Sequence, residues 1–495
     1  MLKKRFYVGV GGSLLLGSVL SSISPAFATS LAGSLVLPGD STDLTTTPGA
    51  NGNRLGFFSD LYYDRYQNVY YGLSDRGPGG GVYNYSTRVQ KFTLTVDPNT
   101  GAISNFNIIQ TILFTQNGNP FNGLNPLALN GNSGVLGRSF DPEGFVVAPN
   151  GNFYVSDEYG PSVYEFNPNG EFIRAFTIPD NILPRAGANL DYVATRTSTP
   201  ALTTGRQDNR GFEGLAMTPD GSKLLAMLQD PLVNEGSSND GRRSRNLRIV
   251  EFDTATGTST KQYIYPLEDI AAINARIPGT ANDFGATAQG RNIGISAIIA
   301  LNNNEFLVLE RDNRGLGVDT PTTSTILPIG SKRVYKIDIS GATDASGISL
   351  ANTNTFTGTP VSKTLFLDIQ AALTGQIIPE KFEGLTVGPR LNDGTYAILA
   401  GNDNDYSVTQ NGSNVQFNVC TTPDYTSTVQ VAIDASCPTG FQLIPGFLYS
   451  FKTAPGELAN FVPASTVPEP NTVAALLLTG SGLFLAKIKR ERKAE

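Results

Sequence analysis

The chain has 495 residues, 40% hydrophobic and 9% aromatic, with 53 Gly, 30 Pro and only 16% charged side chains. That is enough apolar material for a sizeable core, which excludes wholesale disorder, and too little charge for a coiled coil. There is no His, which excludes Ser-His-Asp and Cys-His hydrolases, His-ligated zinc and phosphatases with a histidine nucleophile. Any catalysis must use carboxylates, Arg or Lys, Tyr, hydroxyls or an oxygen-bound metal.

Lys3, Lys4 and Arg5, an apolar run from Phe6 to about Ser24, and Ala26-Phe27-Ala28 make the three parts of a secretory signal peptide. The run is short, rich in Gly and Ser, and ends in a cleavage pattern, which argues against a membrane anchor. The mature chain is expected to start near Thr29. Without this leader and the stretch from Val467 onward, 28 basic residues face 40 acidic ones, a net charge of −12. An acidic body argues against nucleic-acid binding and suits oxygen-ligated cations.

One pattern then recurs five times: an apolar strand, a turn, a second apolar strand ending in acidic residues, and a third carrying Tyr or Phe. First strands are expected around Leu61, Phe145, Leu215, Ile298 and Leu385, and second-strand segments over 69–77, 153–158, 224–230, 306–312 and 396–403. Third strands are expected over 89–96, 162–166, 247–252, 333–339 and 446–451, and fourth strands over 103–114, 171–178, 261–265 and 363–367. Pro149-Asn150-Gly151-Asn152 and Pro219-Asp220-Gly221-Ser222 have the chemistry of hairpin turns between first and second strands.

Four-stranded antiparallel units repeated around a ring define a β-propeller. The expectation is an all-β propeller of five blades, or six if a loop hides a degenerate one. The last repeat lacks a fourth strand, and residues 31–37 are available to supply it, closing the ring. A pair of β-sandwiches is the alternative, but it has no need of a recurring Glu-Gly at one strand position. Segments 179–207, 266–289 and 404–443 read as insertions on the binding face. The domain spans 29–466, flanked by the leader over 1–28 and a tail over 467–495, and it reads as a monomer.

Cys420 and Cys437 are the only cysteines. In an oxidising compartment they read as one disulfide around a Thr/Ser/Asp-rich, irregular loop, worth about 3 kcal/mol in the chain-entropy model. Two free thiols are the alternative. In the tail, Val467-Pro468-Glu469-Pro470 precedes an apolar stretch over 472–486 and a basic cluster over 487–493. The stretch is at or below the ~17-residue limit for a spanning helix, and the basic cluster should stay cytoplasmic. The tail resembles the PEP-C-terminal sorting signal of Gram-negative exported proteins. That resemblance implies processing by a membrane sorting protease, transient membrane anchoring, and a destination in the periplasm, cell surface or extracellular matrix. A plain C-terminal anchor is the alternative.

Equivalent positions of a propeller converge on its axis, so a side chain repeated once per blade becomes a ring. Aligning the first strands puts Ser59, Glu143, Glu213, Ser296 or Ala297, and Glu383 at one level, with Asp60 one residue out of phase. Second strands end in Asp75, Asp157 or Glu158, Asp230, Glu310 and Asp403. Converging carboxylates repel unless a cation sits among them, and oxygen ligands without His or free Cys select a hard cation, Ca²⁺. The expected metal ligands are Glu143, Glu213, Glu383, Asp60, Asp75, Asp157, Glu310 and Asp403. Arg54, Arg138, Arg210, Arg291 and Lys381 precede the first strands, and Arg76, Arg311 and Arg314 follow second strands. A rim of this kind beside a metal can hold a phosphate. Two bland readings compete: Glu-Gly as blade architecture with Glu bonded to the next blade's backbone, and the Arg rim as internal salt bridges.

Phe-Glu-Gly-Leu at 212–215 and 382–385, Asp-Pro-Glu-Gly at 141–144, Ser-Asp-Arg-Gly at 74–77 and Glu-Arg-Asp-Asn-Arg-Gly at 310–315 resemble the phytase-like family, also called esterase-like activity of phytase. The resemblance spans about residues 52–452 and implies a β-propeller. Phe58-Ser59-Asp60-Leu61 followed by Ser74-Asp75-Arg76 is also similar to calcium-activated nucleotidases, five-bladed with acidic residues around a central Ca²⁺. Together these point to an exported Ca-dependent hydrolase of phosphoric esters, with a small phosphorylated substrate on Arg54, Arg138 and Arg210. The alternative is a non-catalytic surface or matrix propeller that binds a glycan or protein.

Overall fold

A computed structural model describes residues 29–46, 51–318 and 327–464. The leader and the sorting tail read from the sequence lie outside the described residues. The chain is all-β: among the described residues the α-helices have at most five residues each.

Five four-stranded antiparallel sheets follow one another along the chain. Their first strands are Asp60–Asp64, Pro142–Val147, Phe212–Met217, Ile293–Ala300 and Lys381–Arg390. In the first four sheets the next three strands follow outward in chain order. The fifth runs Lys381–Arg390, Tyr396–Asp403, Gly446–Lys452, and its outer position is taken by Ser30–Leu37. That N-terminal strand pairs antiparallel with the last one, with Leu35 opposite Leu448. The two ends of the domain therefore share one sheet, and each covers an edge the other would leave open.

The first strands pack on one another in cyclic order, the second sheet on the third, then the fourth, fifth, first and second again. Burial follows from this ring. Second and third strands such as Val69–Ser74, Phe153–Asp157 and Ser162–Phe166 are buried at every residue. Outer strands such as Phe172–Ala175 alternate with solvent. Aromatic rings fill the wedge between the first two sheets, with Tyr71, Phe114, Phe140, Phe145, Phe153 and Phe166 in one cluster. Gly151 and Gly221 hold φ of 85° and 72° at the expected hairpin tips, a conformation costly for other residues.

The recurring Glu-Gly has a structural basis. In four first strands the ladder slips by one residue, leaving Glu143, Glu213, Ser296 and Glu383 as the unpaired extra residues of β-bulges. In the first sheet, Phe58 and Ser59 both donate their N–H to the carbonyl of Leu73, the same irregularity at the same level. A bulge turns its extra side chain off the strand's alternation, so five equivalent residues leave the sheets at one height. The glycine that follows lets the neighbouring strand approach. A Cβ on Gly144 would lie 2.6 Å from the backbone N of Leu215, and one on Gly214 2.8 Å from that of Ile298.

Beyond the bulges, Leu61, Phe145, Leu215, Ile298 and Leu385 face a small cavity of about 100 Å³. Phe461–Ala464 also line it: Val462 N–H donates to Leu301 O at 2.7 Å, and Arg65 sits 4.7 Å over the Phe461 ring. The loop between Cys420 and Cys437 departs from the irregular one read from the sequence, because Thr428–Ala432 within it is a strand. The insertion over 404–443 holds a four-stranded sheet, Val408–Gln410, Gln416–Thr421 and Thr428–Ala432 in order, with Gln442–Leu443 also paired to Gln416–Thr421. Cys420 and Cys437 are bonded, with Cα atoms 5.8 Å apart.

Candidate functional site

On the opposite side of the bulge level lies a polar cavity of about 140 Å³. Eight carboxylates line it, from Asp75, Glu143, Glu158, Glu213, Asp230, Glu380, Glu383 and Asp403, against five cations, Arg76, Arg210, Arg291, Arg311 and Lys381. The two signs are layered. The cations keep 11–31% of their side-chain surface exposed, whereas the carboxylates they pair with inside the cavity keep 1–6%. Acid forms the floor and guanidinium the rim.

Floor carboxylates converge in two groups whose oxygens lie within 4.8 Å of one another: Asp75 with Asp141 and Glu143, and Asp75 with Asp403 and Asp405. Oxygens around a Ca²⁺ at about 2.3–2.6 Å are at most about 5 Å apart, so either spacing fits a hard cation. The second group already has one: Lys381 Nζ lies 2.5 Å from Asp405 and 3.4 Å from Asp403. In the first, Arg76 pairs with Asp141 at 2.7 Å, while among the described residues Asp75 accepts only the N–H of Gly77 and Glu143 has no hydrogen bond or ion pair. Burial, then Glu213, Asp141 and Glu383, push Glu143 well above the usual carboxylate range. Burial and Asp403 do the same to Asp75. Burial takes Asp141 to about 7 against the pull of Arg76, and burial with Asp405 takes Asp403 to about 7.

Glu213 and Glu383 face the same cavity with separate partners. Glu213 Oε1 accepts from Gln229 Nε2 at 2.6 Å, and its Oε2 is buried without a hydrogen bond. Glu383 is ion-paired with Arg311, whose Nε donates to Ser296 Oγ at 2.8 Å. None of the three glutamates bonds to a neighbouring sheet's backbone amide. That role falls to Asp60, which accepts the N–H of Phe145 at 2.7 Å.

Three expected ligands are corrected by these contacts. Asp60, one residue beyond the bulge, turns to the apolar side and lines the other cavity. Asp157 is consumed by the turn after its strand, accepting from Asp141 N, Gly160 N and Ser162 Oγ at 2.7–2.8 Å, and its neighbour Glu158 lines the site instead. Glu310 faces outward between sheets, accepting from Tyr265 Oη and Lys363 Nζ, so Arg311 takes the inward position. Among the expected rim residues, Arg76, Arg210, Arg291 and Lys381 line the cavity. Arg54 and Arg138 do not. Arg54 donates to Tyr406 O and Asn418 Oδ1, and Arg138 to Pro120 O, both fastening loops. Arg314 likewise donates to Pro328 O and Asn282 O.

The family described as "Phytase-like: Esterase-like activity of phytase" matches residues 53–406, which carry every first strand and every residue of the cavity. The chain belongs to the phytase-like family. This chain is 28% identical over 418 residues to an "Uncharacterized secreted protein" of Arthroderma benhamiae, covering 70% of this chain and 80% of that one. Among solved structures, a luciferin-regenerating enzyme covers 88% of this phytase-like chain at 11% identity and TM-score 0.29, with 99% of its own length matched. Virginiamycin B lyase from Staphylococcus aureus covers 85% at 8% identity and TM-score 0.29, with 98% of its own length matched.

Asp141 and Asp405 were missed as candidate ligands. Both sit in stretches the sequence marks, Asp141-Pro142-Glu143-Gly144 and Asn402-Asp403-Asn404-Asp405. Asp141 precedes the bulge in a strand-entry position, where alternation says nothing about direction. Gln229, which orients Glu213, carries no sequence signal.

Proposed function

We propose that this protein is an exported, five-bladed, metal-dependent hydrolase of phosphoric esters. The observation that carries the reading is the layering of one cavity, buried carboxylates beneath a rim of guanidinium groups. Asp75, Asp141 and Glu143 would hold the cation, an all-oxygen set that suits Ca²⁺. When bound, a divalent cation supplies Lewis-acid polarisation of a phosphoryl oxygen and compensates the floor charge.

The chain's own residues carry the remaining work. Arg210 and Arg291 at the rim bind the phosphoryl oxygens through charge-assisted hydrogen bonds. Arg76 and Lys381 stay tied to Asp141 and Asp405 and keep the floor from collapsing apart. Glu213 Oε2, a buried acceptor without a donor, takes the proton of an attacking water, and Gln229 fixes the carboxylate's orientation. Burial and the Glu158 and Glu383 charges raise the Glu213 pKa, which strengthens it as a base. The remaining hydroxide adds to phosphorus, the P–O ester bond breaks, the alkoxide takes a proton from solvent at the open rim and leaves as the alcohol, and Glu213 returns its proton to solvent. Export is supported by the leader read from the sequence and by the name of the secreted relative.

The test is phosphate release from p-nitrophenyl phosphate by the mature domain, in Ca²⁺ and in EGTA, with Asp75→Asn and Glu213→Gln alongside. Release that needs Ca²⁺ and is lost in both variants supports the reading. Equal release in EGTA overturns the metal dependence, and no release under any condition overturns the reading in favour of a non-catalytic propeller.

A further inference from the structure

The five rim cations are not equivalent. Arg76 is held by Asp141 at 2.7 Å and also by Asn209, Lys381 by Asp405 at 2.5 Å, and Arg311 by Glu383 and Ser296. Arg210 has its Nε 2.9 Å from the Asp230 carboxylate, while its Nη1 donates to the backbone carbonyl of Asn209 and lies 3.7 Å from Glu158, leaving its Nη2 without a partner among the described residues. Arg291 is the least engaged. Its Nη1 donates to the backbone carbonyl of Asp208 at 2.9 Å, the Asp208 carboxylate stands 3.5 Å away and is itself 27% exposed, and Arg291 keeps 31% of its side-chain surface, the most of any rim cation. Both arginines act electrostatically on Asp230, so they flank one point of the rim. Two neighbouring guanidinium groups with spare donors, set over the buried carboxylates of Asp230 and Glu158, form a slot for one anion.

Size and charge point the same way. A cavity of about 140 Å³ compares with ~150 Å³ for one that holds a single benzene, or with a handful of waters at ~30 Å³ each. One phosphoryl group fits it, and a polyphosphorylated ring does not. Beyond the slot the other cations are taken, Arg76 by Asp141, Arg311 by Glu383 and Lys381 by Asp405, within an excess of eight carboxylates over five cations, and Asp208 stands beside the mouth. A second phosphate on the same substrate would meet carboxylates and already paired cations rather than spare guanidinium donors.

Building on the phosphoric-ester reading, we propose that the cavity takes a single terminal phosphoryl group, clamped by Arg291 and Arg210, from an ester whose alcohol part stays outside. The substrates would then be phosphomonoesters with one phosphate, and multiply phosphorylated compounds would gain nothing from their further charges.

The experiment is calorimetric binding of inorganic phosphate, glucose 6-phosphate and fructose 1,6-bisphosphate to the mature domain, with and without Ca²⁺, at physiological salt. Expected are one site per chain, affinities for the three within about threefold of one another, and a loss of about ten- to a hundredfold in Arg291→Ala. Arg291→Lys, which keeps the charge and loses the fork, should recover only part of it. Unchanged melting temperatures in both variants establish that the loss is local. A bisphosphate binding more than tenfold tighter, two phosphates per chain, or full affinity in Arg291→Ala overturns the single slot while leaving a phosphate site in place. No binding of any of the three overturns the slot and the phosphoric-ester reading together. Binding of all three with no hydrolysis of either ester keeps the slot and removes only the hydrolase.

Discussion

Replacing Gly144 by Ala tests the ring that places the glutamates. The new Cβ would stand 2.4 Å from Ser156 Oγ, 2.6 Å from Leu215 N and 2.7 Å from Leu215 Cβ. Ser156 can rotate away, but Leu215 N is backbone of the neighbouring inner strand, and real contacts there need about 0.8 Å more. The second and third sheets must part at the axis. Overpacking of this kind costs about 1–3 kcal/mol, and the ~0.4–1 kcal/mol gained by restricting the unfolded chain offsets little of it. The same change at Gly384 meets Leu61 Cβ at 3.0 Å and Phe58 O at 3.2 Å, which a few tenths of an ångström relieve. Urea unfolding should therefore rank Gly144→Ala at about 2 kcal/mol less stable than the parent and Gly384→Ala within about 1 kcal/mol of it. Because Glu143 and Glu383 immediately precede these glycines, Ca²⁺ affinity should fall more in the first variant. A neutral Gly144→Ala, or the reverse ranking, would refute close packing of the inner strands as the reason for the repeated glycine.

Asp75→Asn, which removes the carboxylate shared by both acidic groups, should lower Ca²⁺ affinity at least tenfold by calorimetry, whereas Asp60→Asn should leave it within about twofold and lower stability instead. Asp141 and Asp403 titrate at about 7 in the folded chain, far above their unfolded values, so the folded state holds more protons between about pH 4 and 7. Stability in EGTA should therefore fall as pH rises through 7, by a few kcal/mol, and Ca²⁺ should raise the urea midpoint more at pH 8 than at pH 5.5; a midpoint that rises with pH in EGTA contradicts this. Replacing Cys420 and Cys437 by Ser opens a 17-residue separation and should cost about 3 kcal/mol in unfolding experiments, with the Gln416–Thr421 strand losing amide protection first.

Much of this protein was legible in order. Residues repeating along the chain predicted five strand sets, the N-terminal strand over 31–37 filling the last of them, and Ser59, Glu143, Glu213, Ser296 or Ala297, and Glu383 at one level; the bulge settles that position on Ser296. The reason is local: strand alternation, turn chemistry and a repeated Glu-Gly are properties of short segments, and a repeat multiplies their signal. Direction at the strand ends was decided elsewhere. Asp157 against Glu158, and Glu310 against Arg311, are adjacent residues on opposite faces, and contacts at the strand ends decide which looks inward: Asp157 is held by Gly160 and Ser162, Glu310 by Tyr265 and Lys363. Arg54 and Arg138 share with Arg291 a spacing of five residues to the bulge, yet only Arg291 reaches the cavity, because loop paths are set by contacts with distant partners such as Tyr406 and Asn418. The sequence alone determines which residues recur; the tertiary structure decides which side of a ring each one faces, because a bulge and a loop path depend on the neighbouring sheet that no local pattern describes.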